Sequence, residues 1–492
     1  MLTSKLRSSN RSFKELWVLP MVFLIVLAGC APAGAQITPT PRALGEFDAS
    51  DLEAFVDDFF ANQLDELQIP GVTFAFVREG QIILLKGYGQ ADIESEISFD
   101  PETSIVRIGS ISKLFVATAV MQLVDQGHLD LHTDVNQYLT DFQLGDEYAE
   151  PVTLANLLTH TGGFDHPPYW TTLDPSEVLP LDQYLAEEMP PRISPPGEVL
   201  AYSSHGYDLA ALIVEQISGI PFSEYVQRNV LQPLGMNQSG YLISPSVPDG
   251  MATGYTVEGR AQIRQPIDYD PGYPSGSLVS TASDMARFML AHLRGGCYQN
   301  ACILSTDAID TMHQQQFTNH AQLPGWTYGF TEGFRNNQRL IGHGGAIRGF
   351  GSDLTLLPDY DLGYFLSFNE ECYLTGACAI VGRFREQFMD RFFPAELPPL
   401  TPYEFQTDLA LLVGSYRYIR YPHSAIYITE YAPYDVEVTQ SQGKLRLYDT
   451  EYLEIGPLLF QQIDGQARLA FRQDSQGNIT YMFTPEAYER LR

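Results

Sequence analysis

The chain has 492 residues, 44% of them hydrophobic, and a formal net charge of −31 from 29 basic and 60 acidic residues. That length and apolar content exclude a disordered chain and suffice for two or three domains with a large core. The acidic field argues against nucleic acid and anionic membrane surfaces as partners, because like charges repel across such contacts.

The charge is unevenly placed. Lys5, Arg7, Arg11 and Lys14 against Glu15 make the first residues basic. LWVLPMVFLIVLAGC follows, an apolar run too short to span a bilayer comfortably, so residues 1–29 read as a signal peptide rather than as fold. The other reading is an uncleaved transmembrane anchor. Leu27-Ala28-Gly29-Cys30 resembles a bacterial lipobox, which makes Cys30 the expected lipidation site and a lipid anchor the expected membrane contact. Cleavage after Ala33-Gly34-Ala35 would instead release a soluble secreted protein. Residues 30–46, rich in Pro and Ala, form a tether in either case. The expected location is therefore the bacterial cell envelope, on the periplasmic or extracellular face of a membrane.

Ser50-Asp51-Leu52-Glu53 has the pattern of a capping box and predicts a helix to about Leu64. VTFAFV and QIILLKGYG predict a hairpin turned at Arg78-Glu79-Gly80. A helix is expected from about Ser110 to Gln126, stopped by Gly127, and a shorter one in VTLANLLTHTGG. A Pro-rich loop, 167–196, leads to further helices at 206–218, 222–231 and 283–293. RLIGHGG, SDLTLLPD and LGYFLSF predict antiparallel strands, and a last helix is expected over 381–393.

Strands at both ends and helices between them imply an α/β (α+β) domain over 47–394. One antiparallel sheet is built from both ends of the domain, with helices on both faces and a helical subdomain. PAELPPLTP, around 395–402, reads as a linker, and 403–492 as a small all-β domain. Cys297/Cys302 and Cys372/Cys378 form two close pairs, which in an exported protein suggests one disulfide per pair, although three connectivities exist.

RIGSISKLFVATAVMQLVDQG places Lys113 three residues after Ser110 at a helix start, in a chain with few lysines. Residues three apart share a helix face, so the amine can reach the hydroxyl. A lysine buried by Ile111, Leu114, Phe115 and Val116 and lying at a helix N-terminus loses part of its preference for the charged form and can serve as a base. Ser441-Gln442-Gly443-Lys444 has the same spacing, but in an expected hairpin turn where the two side chains are solvated.

With VTLANLLTHTGG, GEVLAYSSHGYDLAALIVEQISG, GSLVSTASDMARFM and IGHGGAIRGFGS, the Ser110 segment resembles the β-lactamase-related serine hydrolases over about 50–393. These include class C β-lactamases, D-Ala-D-Ala carboxypeptidases, D-aminopeptidases and related esterases. The resemblance implies a β-lactamase/transpeptidase-like fold with Ser110 as acylated nucleophile, Lys113 as proton acceptor or relay, and Tyr202 as a base for acylation and deacylation. It places His343 and Gly345 on a substrate-binding strand, with the backbone N–H of Ala346 joining that of Ser110 as an oxyanion hole. The 403–492 region resembles lipocalin-like modules appended to some of these hydrolases. No cofactor is implied.

Two departures weaken a β-lactam specialisation. Ser204, a shorter side chain, stands where the family has an asparagine, so its contact with a substrate amide is weaker or water-mediated. His343 replaces a permanent cation, and its usual pKa of about 6.5 leaves a substrate carboxylate loosely held at neutral pH; Arg348 is a candidate replacement. His160 reads as a structural turn residue, and His128 and His132 lack the glutamate of a zinc-protease motif. The expected activity is hydrolysis of an ester, amide or D-amino-acid peptide bond through an acyl-enzyme; the alternative is a penicillin-recognising or cell-envelope binding protein with impaired turnover.

Overall fold

Side-chain alternation along two strands sets the layering. The computed structural model describes residues 48–167, 171–244, 246–396, 398–404, 407–423 and 434–491. The expected signal peptide, Cys30 and the tether lie outside them. In chain order, α1 (Ala49–Leu67) precedes β1 (Gly71–Arg78), β2 (Gln81–Asp92) and β3 (Ile97–Ser98). Helices α2 (Ser112–Asp125), α3 (Ser204–Ser218) and α4 (Ala282–Leu293) follow. Then come β4 (Thr331–Arg335), β5 (Gln338–Ile347), β6 (Phe350–Leu357), β7 (Leu362–Phe368) and α5 (Ala379–Phe392).

The strands form one antiparallel sheet in the order β4-β5-β6-β7-β1-β2-β3, so the first strand pairs with the last, as expected. Val72, Phe74 and Phe76 of β1 and Leu362, Tyr364, Leu366 and Phe368 of β7 face one way, into a core with α1 and α5. Ala75, Val77 and Phe365 face the other way, into a core with α2, α3 and α4. Successive strand residues point to opposite faces, and both faces are apolar here because helices cover both.

The α1/α5 side is aromatic. The fully buried Phe384 ring lies 5.1 Å from Phe59, 5.7 Å from Phe60, 5.3 Å from Phe74 and 5.0 Å from Tyr364, spacings at which ring edges and faces attract. The cap of α1 is Asp48, which accepts from Ser50 N at 2.9 Å, so the helix starts earlier and ends later than the sequence pattern suggests.

Eight strands of the C-terminal region close into a barrel running from Gly414–Tyr418 to Ala487–Arg490. Tyr416, Val436, Val438, Leu445, Phe460, Leu469, Phe471 and Met482 fill it. Closure removes the free edges that an open sheet of this size would expose. Outside that core, Ile419, Leu459, Ala470, Phe483 and Ala487 pack against Val199, Ala201 and Leu323. The barrel thus sits on the segment that leads into Tyr202.

Both disulfides form within their own pairs, Cys297–Cys302 and Cys372–Cys378. Ser441 and Lys444 face each other across a hairpin whose turn residues Gln442 and Gly443 have positive φ, and Lys444 pairs with Glu451 at 2.7 Å. That second serine-lysine spacing therefore has no helix beneath it. No described helix is long and apolar enough to cross a membrane.

Candidate active site

Ser110 is set by a short strand, a turn and a helix. Val106–Arg107 pairs with Leu278–Ser280, and the buried Arg107 guanidinium donates to Asp268 Oδ1 at 2.6 Å and to its carbonyl at 3.0 Å. Gly109 then takes φ +54, a conformation costly for residues with a Cβ, and the chain turns through a 3₁₀ segment, Gly109–Ile111, into α2. Ser112 locks the turn: its Oγ donates to Gly109 O at 2.7 Å and accepts from Leu278 N at 3.1 Å. The expected helix start is thus a tighter turn, with Ser110 half-buried in it and Lys113 in the first turn of α2.

Lys113 is 1% exposed. Its Nζ donates to Ser110 Oγ at 3.2 Å and to Ser275 O at 3.0 Å. The amine also lies 5.0 Å from the centre of the Tyr202 ring and 5.9 Å from that of Tyr207. Proton transfer from the hydroxyl needs no more than hydrogen-bond reach, and this pair has it.

Tyr202 is half-buried and stands on a prepared surface. Its ring stacks on His160 at 4.1 Å, and His160 clamps the Tyr202 segment from both sides: its carbonyl accepts from Ala201 N at 2.9 Å and its Nδ1 from Ser203 N at 3.0 Å. Burial, and then the charge of Lys113, hold the His160 imidazole well below its ordinary pKa, so the platform is neutral. With φ +56, His160 occupies a turn, as expected. Trp326, which the sequence reading did not single out, meets His160 edge-on at 4.5 Å and lies 5.8 Å from Tyr202. Ser203 caps α3 by accepting from Gly206 N at 3.2 Å, which leaves Ser204 half-buried at the first helical position.

β5 approaches the Ser110 turn backbone to backbone. A methyl group at Gly345 would lie 2.0 Å from Ile108 O and 3.4 Å from Ser110 N; one at Gly109 would lie 2.8 Å from Ala346 N. Two glycines therefore bring the N–H groups of Ser110 and Ala346 to neighbouring positions beside the hydroxyl. His343, on the same strand, is 4% exposed and its Nδ1 lies 2.6 Å from Gly344 O. Among the described residues, no group of three or more His, Cys, Asp or Glu is placed to hold a metal ion.

The barrel adds one side chain. Arg420, exposed to solvent two residues past the first barrel strand, holds its guanidinium carbon 4.3 Å from the centre of the Tyr202 ring. No sequence signal marks it, because its relation to Tyr202 exists only once the barrel docks.

The sequence model of the Beta-lactamase family matches residues 56–373, well over half of the chain. The chain belongs to the Beta-lactamase family. Among its relatives, PbpX of Bacillus subtilis (strain 168) is 29% identical over 276 residues, covering 54% of this chain and 68% of that protein. The chain spans 63% to 68% of the length of the first relatives it matches. Two solved structures share the fold. The octameric penicillin-binding protein homologue from Pyrococcus abyssi has a TM-score of 0.59 at 21% identity, over 90% of this chain and 99% of that one. The D-amino acid amidase from Ochrobactrum anthropi SV3 has a TM-score of 0.55 at 22% identity, over 68% and 99%.

Within this Beta-lactamase-family chain, the two expected cations are already spoken for or absent. Burial, reinforced by Lys113, pushes His343 down to about 3, so its imidazole is neutral at physiological pH and does not act as a cation. Arg348 donates to Asp268 Oδ2 at 2.9 Å, and the same carboxylate holds Arg107 and accepts from Thr171 at 2.7 Å. Burial acts to raise Asp268, but the two guanidinia and Thr171 outweigh it and keep the carboxyl below its usual range. Arg348 serves that cluster.

Proposed function

We propose that this chain is a serine hydrolase acting through an acyl-enzyme on an ester, amide or D-amino-acid peptide bond. One observation carries the reading: a buried lysine amine 3.2 Å from a serine hydroxyl, beside a tyrosine and where the backbones of Ser110 and Ala346 come close. Ser110 Oγ attacks the carbonyl carbon while its proton passes to an unprotonated base, either the free amine of Lys113 or, with Lys113 relaying the proton, the phenolate of Tyr202. The carbonyl oxygen becomes an oxyanion facing the N–H groups of Ser110 and Ala346. Collapse breaks the bond to the leaving group, which takes up the transferred proton and departs. Water then attacks the Ser110 ester, loses a proton to the same base, and releases the acid.

The names of this chain's structural neighbours support the substrate range: one is called a penicillin-binding protein homologue and another a D-amino acid amidase. Family membership supports hydrolase chemistry in general, and Ser110, Lys113 and Tyr202 are the residues we assign to it. The basic, apolar and Leu27-Ala28-Gly29-Cys30 segments support export and a lipid anchor at Cys30.

A fluorophosphonate probe tests the chemistry. Wild type is labelled at Ser110 and Ser110→Ala is not; equal labelling of both removes the assignment. The short hydroxyl of Ser204 favours a second reading, a binding protein that acylates and does not release. A mass adduct that persists for hours after substrate is removed supports that one, and its disappearance supports turnover.

A further inference from the structure

We infer that the cavity walled by Arg107, Arg264 and Arg348 binds a small oxyanion of phosphate or sulfate size, apart from the catalytic centre, and that its occupant steadies the two backbone segments of the assigned oxyanion hole. The site itself is independent of the acyl-enzyme reading; its effect on acylation rests on that reading.

The cavity has a volume of about 80 Å³ and lies where the strand leading to Ser110, residues 251–254, residues 264–267 and the turn after β5 meet. A water takes up about 15 Å³ of such space, so about five waters or one tetrahedral anion fill it, and a peptide does not fit. Ser110, Lys113, Tyr202 and His343 are not among its walls. Its charged wall residues are Arg107, Arg264 and Arg348, and no Asp or Glu lines it. Three cations around one hollow run against the composition, which has 60 acidic residues and 29 basic. Like charges held close repel, and an anion between them reverses the sign of that interaction.

The carboxylates behind the wall leave donors over. Arg107 is 2% exposed, and Asp268 takes up both its terminal nitrogens, but its Nε–H meets no acceptor among the described residues. A buried donor without an acceptor is costly, and a ligand oxygen in the adjoining cavity would satisfy it. Arg348 reaches Asp268 through Nε at 2.9 Å, and its terminal nitrogens make no hydrogen bond among the described residues. Arg264 is 60% exposed and lies 3.8 Å from Asp92, beyond hydrogen-bond length; Asp92 itself accepts from Thr253 Oγ1 at 2.7 Å and Ser95 N at 2.6 Å. A guanidinium offers paired N–H groups whose spacing matches two oxygens of a phosphate or sulfate.

Two of the three arginines belong to the segments that meet at the oxyanion hole. Arg107 is three residues before Ser110, and Arg348 is two residues after Ala346. Asp268 already bridges them, at 2.6 Å and 2.9 Å. On the other wall, Gly254 packs on Gly349 so closely that a methyl on either would lie 3.0 Å or 2.7 Å from the other's Cα. An anion touching both Arg107 and Arg348 adds a second bridge beside Asp268. It therefore holds β5 against the Ser110 turn, where Gly345 and Ile108 already meet.

The test uses the full chain and inorganic phosphate, titrated calorimetrically at constant ionic strength in chloride. Saturable binding is expected with a Kd of about 1 mM or below. Arg264→Gln should weaken it about tenfold, the lower end of what one charge-assisted hydrogen bond contributes, with an unchanged melting temperature because the side chain is exposed. Glycerol 3-phosphate in the same titration identifies the source: tighter binding than phosphate assigns a phosphomonoester, weaker binding the free ion. At saturating phosphate, fluorophosphonate should label Ser110 about fivefold faster in wild type, the low end of coupling between linked sites. Arg264→Gln should label at the wild-type rate without phosphate and lose the gain at that concentration. No saturable binding up to about 10 mM, or a Kd that Arg264→Gln leaves intact, overturns the site. Labelling that phosphate slows would put the anion in the catalytic centre and overturn it too, and a rate indifferent to bound phosphate overturns the coupling. If Ser110 is not labelled under any condition, the acyl-enzyme reading falls, while calorimetry still decides the site.

Discussion

Gly345→Ala probes the contact on which the assigned oxyanion hole depends. The added methyl would lie 2.0 Å from Ile108 O, about 1.4 Å inside the 3.4 Å at which ordinary contact begins. Ile108 O belongs to backbone pinned by Ser112 and by the bond from Ile108 N to Leu278 O, so no flexible side chain can yield instead. β5 and the Ser110 turn must separate by about that distance. A hydrogen bond formed at 2.7–3.1 Å does not survive a shift of more than about 1 Å in one donor. Loss of one such donor costs about 3 kcal/mol, or about 10²- to 10³-fold in the rate of acylation. The assay is the second-order rate of fluorophosphonate labelling at Ser110, with thermal melting in parallel. Gly344→Ala is the stability control, since its methyl finds only Ser352 O at 3.9 Å. Labelling of a folded Gly345→Ala variant within about threefold of wild type would refute the oxyanion-hole assignment.

Three further outcomes follow from burial and charge. With His343 held near 3, affinity for a carboxylate substrate should be flat between pH 5 and 8; a loss of affinity centred near 6.5 would restore the cationic role. At His423, burial acts to lower the pKa, but Asp165 and Glu489 together push it up to about 9. A folded-state pKa above the unfolded value of about 6.5 means that the ion-pair contribution is complete below pH 6.5 and lost as pH rises through 9. Melting temperature should therefore fall more steeply from pH 7 to 10 in wild type than in His423→Gln, and parallel slopes would show that the His423 ion pairs with Asp165 and Glu489 do not stabilise the fold. Phe384→Ala should cost about 3–5 kcal/mol in urea denaturation, because the ring touches α1, β1 and β7 at once; a loss under about 1 kcal/mol would show that the aromatic face is not a tightly packed core.

Residues whose neighbours lie along their own helix or strand were legible in the sequence. The Ser110–Lys113 contact needs only the helical repeat, and the alternation in LGYFLSF needs only the pleat. The pairing of β1 with β7 followed from strands lying at both ends of the domain. The stacking of His160 on Tyr202 and the place of Trp326 depend on loops that fold against one another, and no periodicity encodes them. His343 reads as titratable in sequence because its usual pKa lies near neutrality; only the packing around it removes the charge. Arg348 looked available until Asp268, far from it in the chain, proved to hold it. The helix Thr306–His313 and the hairpin Tyr255–Glu258 with Ala261–Arg264 passed without notice, being short segments with weak patterns.

The order of strands in the sheet also bears on when activity can begin. A chain being synthesised carries Ser110, Lys113 and Tyr202 long before β5 and β7 exist, and β1 waits for β7 as its neighbour. Until then Ala346 is missing, and the nucleophile has no anion-stabilising partner across the cleft. The barrel, and Arg420 with it, arrives last of all. Chains that end before β5 should therefore be chemically silent, whereas chains that end between β7 and the barrel keep Ser110, Lys113, Tyr202 and Ala346 and lose only the barrel's contacts with the Tyr202 segment.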